Sequence, residues 1–230
     1  VLNKKCIKGM TEVELIAWCE ELGESNFRGK QLFEWMYRQG SMSFEKMTNI
    51  SKTFRSYLIS NCIVRTLSIE KSLTSNLDQS VKFLFRTEDD HFIESVSMID
   101  GNRHTICISS QIGCALDCSF CETGKMGLNR NLSTGEIVDQ LLFIKEFISK
   151  PITNVVFMGM GEPFHNYDNV INACNIFHSP FGCNLSASRI TISTAGMLPQ
   201  IKKFIKEKNK YKLAISLNAS TDLIRNKIMP

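Results

Sequence analysis

Residues 103–160 read RHTICISSQIGCALDCSFCETGKMGLNRNLSTGEIVDQLLFIKEFISKPITNVVFMGM. RHTICISS alternates like a strand. NVVFMGM is almost continuously apolar, the pattern of a parallel strand buried on both faces. Between them, LSTGEIVDQLLFIKEFI has helical periodicity, with Ser133 or Thr134 as its cap and Glu136 in its first turn. A cysteine-bearing loop separates the first strand from that helix. The same rhythm continues downstream. YDNVINACNIF is a helix, SRITIST a strand, MLPQIKKFIKEK a helix and YKLAISLNA a fourth strand. The order βαβαβαβ with right-handed crossovers builds an open α/β sheet or a barrel. Four parallel strands do not close a barrel, and DLIRNKIMP reads as the start of a further turn or helix. The sheet is therefore expected to be incomplete in this sequence, as in a chain cut short at Pro230.

Upstream the period changes. IVRTLSIEKSLT, SVKFLFRT, HFIESVSMI and RHTICIS are strand-like runs separated by the turn segments SNLDQ, EDD and DGN. They predict a small antiparallel unit leading into the first parallel strand. Residues 11–59 read as helices. TEVELIAWCEELG places Val13, Ile16 and Ala17 on one face, with Trp18 and Leu22 at its edge and Gly23 at its end. FRGKQLFEWMYRQG repeats Leu32, Trp35 and Met36 at helical spacing and stops at Gly40. SMSFEKMTNI and SKTFRSYLIS read as two short helices. The expected organisation is a helical domain over 1–60, an antiparallel extension over 61–102 and an incomplete α/β core over 103–230.

The 230 residues carry 43% hydrophobic and 22% charged side chains, enough for a real core and too apolar for a disordered chain. No apolar run approaches the roughly 18 residues of a membrane span, and the N-terminus has no apolar signal core. The net charge of +4 is unevenly spread: residues 1–60 hold +2, residues 61–200 hold −4 and residues 201–230 hold +6. The last segment is either a solvated lysine-rich face or a surface facing RNA. Nine cysteines without a secretion signal point to a reducing compartment, the cytoplasm, rather than a disulfide scaffold.

Three of those cysteines, Cys114, Cys118 and Cys121, fall within eight residues. Thiolates are soft ligands for iron–sulfur groups, zinc or copper(I). No second CxxC follows to close a zinc site, and the four-cysteine ferredoxin spacing is absent. Three thiolates can hold three irons of a [4Fe–4S] cube and leave the fourth open. Their place after a barrel-type strand is where α/β barrels carry catalytic loops. GMGEP, residues 159–163, follows the second parallel strand and reads equally as a tight turn or a binding loop. No helix is expected to open directly on it. Ser193 ends the third strand, and Ser216, Leu217 and Asn218 end the fourth. A serine there serves as a backbone cap or as a ligand contact.

C-x3-C-x2-C resembles the motif of the radical S-adenosylmethionine superfamily. The likeness tightens over SSQIGCALDCSFCETGKMGLNRNLSTGEIVDQ, VVFMGMGEP, RITISTAG and RNKIMP. Together these resemble the radical S-adenosylmethionine RNA methyltransferases that modify adenine C2 in 23S ribosomal RNA and transfer RNA. FRGKQLFEWMYRQGSMSFEKMTNISKTFR resembles their N-terminal RNA-binding domain. The resemblance implies a partial radical S-adenosylmethionine (βα) barrel with a [4Fe–4S] cluster on Cys114, Cys118 and Cys121. It implies S-adenosylmethionine contacts at Gly161, Glu162, Ser193, Ser216, Leu217 and Asn218, with Glu162 on the methionine amine. In that family a C-terminal cysteine takes a methyl group from one S-adenosylmethionine. A radical made from a second one activates it to a thiomethylene radical that adds to C2. Cys107 matches the cysteine that resolves the adduct, and Glu94 in HFIESV matches the glutamate that removes the C2 proton. An electron donor such as flavodoxin or ferredoxin and a monomeric state are implied as well.

Three departures qualify the match. The methyl-carrying cysteine lies beyond residue 230 in the family, so this chain alone is expected not to turn over. The usual Ser-Leu-His-Ala-Pro motif reads Ser216, Leu217, Asn218, Ala219, Ser220 here. A downstream asparagine that contacts S-adenosylmethionine is missing too. Alternatives are the C8-specific branch of the family, an activase that makes a glycyl radical, and an iron–sulfur or zinc RNA-binding protein without catalysis. The helical N-terminus and Cys107 argue against the activase.

Overall fold

The structure, a computed structural model, describes residues 4–229. The extreme ends of the predicted first and last segments, including Pro230 of RNKIMP, lie outside the described residues. The N-terminal helical unit opens with strand β1 (Lys5–Cys6), followed by helices α1 (Glu12–Glu21), α2 (Asn26–Tyr37) and α3 (Lys52–Asn61). Strand β2 (Cys62–Ile63) returns to pair in parallel with β1 and closes the unit. A capping box starts α1: the Thr11 hydroxyl accepts from the Glu14 N–H while the Glu14 carboxylate accepts from the Thr11 N–H. SMSFEKMTNI forms only a 3-10 turn at Phe44–Lys46 rather than a full helix.

The buried face of α1 differs from the one expected. Leu15, Trp18 and Cys19 are buried, while Val13 is 76% exposed. The cause lies in α2, where a Cβ on Gly29 would sit 2.5 Å from the Ile16 backbone. The helices touch backbone to backbone there, and α1 rolls the neighbouring stripe into the core.

Strands β3 (Leu67–Thr74), β4 (Val81–Thr87), β5 (Phe92–Asp100) and β6 (Arg103–Cys107) form an antiparallel meander. A ribbon of β7 (Gln111–Gly113) and β8 (Leu128–Asn131) brackets the cysteine loop, and α4 (Glu122–Lys125) is a single turn inside it. Then come α5 (Thr134–Phe147), β9 (Asn154–Phe157), α6 (Tyr167–His178), β10 (Ile190–Thr194), α7 (Leu198–Lys206), β11 (Lys212–Ile215) and α8 (Asp222–Ile228). The antiparallel extension and the parallel core are one seven-stranded sheet, ordered β11-β10-β9-β6-β5-β4-β3. β6 joins the halves, antiparallel to β5 and parallel to β9. The sheet is open, as four parallel strands require.

One face of the sheet packs on the helices. Phe85 meets Phe143 of α5 and Phe157 meets Phe177 of α6. The register places Glu94, Val96, Cys107, Val156, Thr191 and Ser193 on the opposite, half-open face. Alternation along each strand makes that division.

A buried ion pair ties the helical unit to the core. Lys8 Nζ lies 3.2 Å from Asp139 Oδ1 of α5, with both side chains fully buried. Asp139 Oδ2 also accepts from the Thr66 N–H and hydroxyl, each at 2.7 Å. Lys8 further sits over the Tyr37 ring.

Candidate active site

The C-terminal ends of β6, β9, β10 and β11 share one rim, since all four strands run parallel. A cavity of about 470 Å³ opens there, within the usual size of a small-molecule site. Its wall includes Cys114, Cys118 and Cys121 from the loop after β7, and Gly161 and Glu162 after β9. Ser193 of β10, with Ser216 and Asn218 after β11, completes the predicted set. Leu217 is the exception: its side chain is 64% exposed and does not wall the cavity. Ser216 and Asn218 line the cavity, Asn218 with a left-handed backbone at φ +54, while Leu217 faces out.

GMGEP is a built loop. Gly161 has φ +97, and a Cβ there would lie 2.5 Å from the Gln111 side chain. A helix does open directly on this loop, contrary to the expectation. Glu162 caps the 3-10 turn Pro163–Asn166, which runs straight into α6. The Glu162 side chain is buried, and both its oxygens are engaged. Oε1 accepts from the Phe164 N–H at 3.0 Å and Oε2 from the Ala195 N–H at 2.8 Å. Its own N–H donates to Gln111 Oε1 at 2.8 Å. Glu162 thus joins the β9 and β10 exits and fixes a carboxylate in the cavity wall. Ser193 and Ser216 hydroxyls lie 3.2 Å apart across adjacent strands.

Three buried amides that drew no functional reading from the sequence frame the loops. Gln140 of α5 accepts from the Ser109 N–H and donates to the Ser109 carbonyl. Gln111 links Glu162 to Asn131, and Asn166 donates to the Ser110 and Leu132 carbonyls. Their signal was a polar residue inside an otherwise buried pattern. Arg130 of β8 grips the ribbon from outside, bidentate to Glu136 and bidentate to Asp89 of the β4–β5 turn. That contact drives the Asp89 carboxyl far below the ordinary range. Arg225 of α8 donates to the Ala195 carbonyl, and the Ser119 N–H donates to the Ile228 carbonyl at 2.9 Å, so α8 lies against the cysteine loop.

Among the described residues no three ligating side chains stand close enough to hold a single metal ion. A polynuclear iron–sulfur group takes each thiolate to a different iron, so it needs wider spacing. Three thiols of one short loop facing one cavity fit that donor set. The thiols also sense one another: burial, then Cys114 and Cys121, push the Cys118 thiol up. Bound iron would reverse that preference.

Glu94 and Cys107 lie on the half-open sheet face but outside the cavity wall. Cys107 pairs with Val96, two residues from Glu94 on the same face. That diagonal separates them by about 7–8 Å. Burial raises the Cys107 thiol, opposed by the hydrogen bond with the Met158 backbone. The Glu94 carboxylate sits 2.6 Å from Lys82 Nζ, both half-exposed.

No helix among the described residues is long and apolar enough to cross a membrane. The family described as the ribosomal RNA large subunit methyltransferase N-terminal domain matches residues 7–64, and the radical SAM superfamily matches residues 108–230. A dual-specificity RNA methyltransferase RlmN of Geotalea uraniireducens is 42% identical, covering 100% of this chain and 66% of its own length. RlmN 2 of Myxococcus xanthus is 45% identical over 92% of this chain and 57% of its own length. The crystal structure of a radical SAM methyltransferase from Sphaerobacter thermophilus superposes with a TM-score of 0.92 at 38% identity, covering 98% of this chain and 67% of that one. The chain thus spans about two thirds of the length of such relatives. With its cysteine loop on the rim of an open parallel sheet and both sequence families matched in order, the chain belongs to the radical SAM superfamily and, within it, to the RlmN family of RNA methyltransferases.

Proposed function

We propose that the protein carrying this sequence methylates C2 of adenine in 23S rRNA and tRNA through a cysteine-bound methylene, using a [4Fe–4S] cluster and S-adenosylmethionine. The observation that carries the reading is the single cavity gathering three cysteines, a buried carboxylate and two strand-end hydroxyls at one sheet rim. Cys114, Cys118 and Cys121 hold the cluster. Gly161, Glu162, Ser193, Ser216 and Asn218 bind and orient S-adenosylmethionine, and Leu217 contributes through its backbone alone. The cluster, when bound, supplies the electron that cleaves the sulfonium and starts radical chemistry.

On the adjoining open face, Glu94 takes the proton from C2, with Lys82 holding its carboxylate in place. Cys107 resolves the covalent protein–RNA adduct, and burial keeps it a thiol until then. The helical unit ending near residue 60 contacts RNA. The setting is cytoplasmic, the protein is a monomer and a flavodoxin or ferredoxin delivers the electron.

The test compares RNA from cells with and without the gene carrying this sequence. Mass analysis of digested 23S rRNA and tRNA should show 2-methyladenosine lost when the gene is disrupted. Loss of 8-methyladenosine instead would move the reaction to C8, and an unchanged nucleoside profile would refute the reading.

A further inference from the structure

The strongest concentration of positive charge on the chain lies outside the helical unit, along α7 and the segment entering β11. Lys202, Lys206, Lys208, Lys210 and Lys212 are all exposed, and none has an ion-pair partner among the described residues. Only Lys203 is neutralised, by Asp168 and Glu207. Five free ammonium groups within eleven residues repel one another, and a polyanion relieves that repulsion. Helix-end electrostatics accounts for Lys206 alone, because Lys208, Lys210 and Lys212 lie past the helix.

Position gives the patch its meaning. α7 starts immediately after Ala195, Gly196 and Met197, which wall a small cavity beside Cys118. The nine-residue helix then descends about 13 Å from the rim. Lys208, in a left-handed conformation, turns the chain, and β11 climbs back as the edge strand of the sheet. Lys202 therefore lies about one turn below the rim, and Lys206, Lys208, Lys210 and Lys212 gather at the lower end of the same sheet edge, where the helix hands over to β11. A phosphate backbone is the extended polyanion that fits such a line.

We propose that this lysine ridge is a second RNA-backbone contact surface, gripping the flank of a folded RNA whose target base sits over the cavity. The inference rests on the RNA methyltransferase reading above. It implies that a structured RNA engages the ridge and that an oligonucleotide of a few bases cannot reach it.

The test measures binding of an unmodified tRNA transcript to the protein and to a K202Q/K206Q/K208Q/K210Q variant across a salt series. These side chains are exposed, so circular dichroism and melting temperature should match the parent. The slope of log affinity against log salt should fall by about 3 for the four lysines. Binding of a five-nucleotide RNA should be unchanged. Equal tRNA slopes for the two proteins, with tRNA still bound, would overturn the ridge alone. No tRNA binding by the parent would overturn the RNA reading as well. Parent binding to phosphatidylserine vesicles but not to tRNA would assign the ridge to an anionic membrane surface and refute the proposal.

Discussion

Replacing Lys8 by methionine isolates the buried ion pair that joins the helical unit to the core. The two side chains have no solvent exposure, and the Asp139 carboxylate then keeps only the two Thr66 donors. Removing one partner of such a pair costs about 3–5 kcal/mol, because the remaining charge stays out of water without its counterion. At about 2–4 °C per kcal/mol for a chain of this size, the melting temperature should fall by roughly 6–20 °C. Asp139→Asn should cost a comparable amount, since it strands the ammonium while keeping an acceptor for Thr66. The double variant Lys8→Met/Asp139→Asn removes both charges. It should cost no more than either single variant, which in a double-mutant cycle is a coupling energy of at least about 3 kcal/mol. The assay is thermal and urea unfolding followed by circular dichroism. A loss under about 1 kcal/mol for either single variant, or strictly additive losses, would refute the argument that these charges depend on each other.

Cys118→Ala should abolish iron–sulfur absorbance and most bound iron after anaerobic reconstitution, and full iron content would exclude it as a ligand. Glu162→Gln should weaken S-adenosylmethionine binding in calorimetric titration and loosen the β9 and β10 exits. A carboxamide must turn its NH2 toward one of two backbone N–H groups, a mismatch of about 1–3 kcal/mol; unchanged affinity and stability would remove it from both roles. The Asp89 carboxyl is held below its unfolded value by Arg130, so its contribution to stability is complete above about pH 4 and is lost as pH falls through the folded value. Arg130→Gln should therefore flatten the acid limb of melting temperature against pH, and it should cost about 2 kcal/mol at neutral pH through the exposed Asp89 and buried Glu136 partners. An acid limb identical to the parent's would sink that assignment.

Local signals carried far in this chain. The period change near residue 63 marks the end of the helices, and the capping box at Ser133 and Glu136 forms as its residue types dictate. Apolar runs at 154–157 and 190–194 become parallel strands, and the cysteine spacing with the strand-end serines picks out one rim. All of these depend on neighbours within a few positions, where propensity and periodicity act.

What stayed illegible was the face that α1 buries and the side-chain partners distant in the chain. Val13 and Leu15 are equally apolar, and only the close approach of Gly29 to Ile16 decides which of them is buried. The antiparallel strands over 67–100 read as a separate extension because nothing local records that β5 continues the same sheet by pairing with β6, the first strand of the parallel core. Arg130 looks like a surface arginine until the fold brings Asp89 and Glu136 to it. Thr66 and Asp139, 73 residues apart, carry no pairing signal, and Lys8 reads as one more lysine of a basic N-terminus. Burial of a charge becomes tolerable only when its counterion and hydrogen-bond donors arrive together. Chain topology controls that arrival, so tertiary structure alone decided that Lys8 and Asp139 sit in the core.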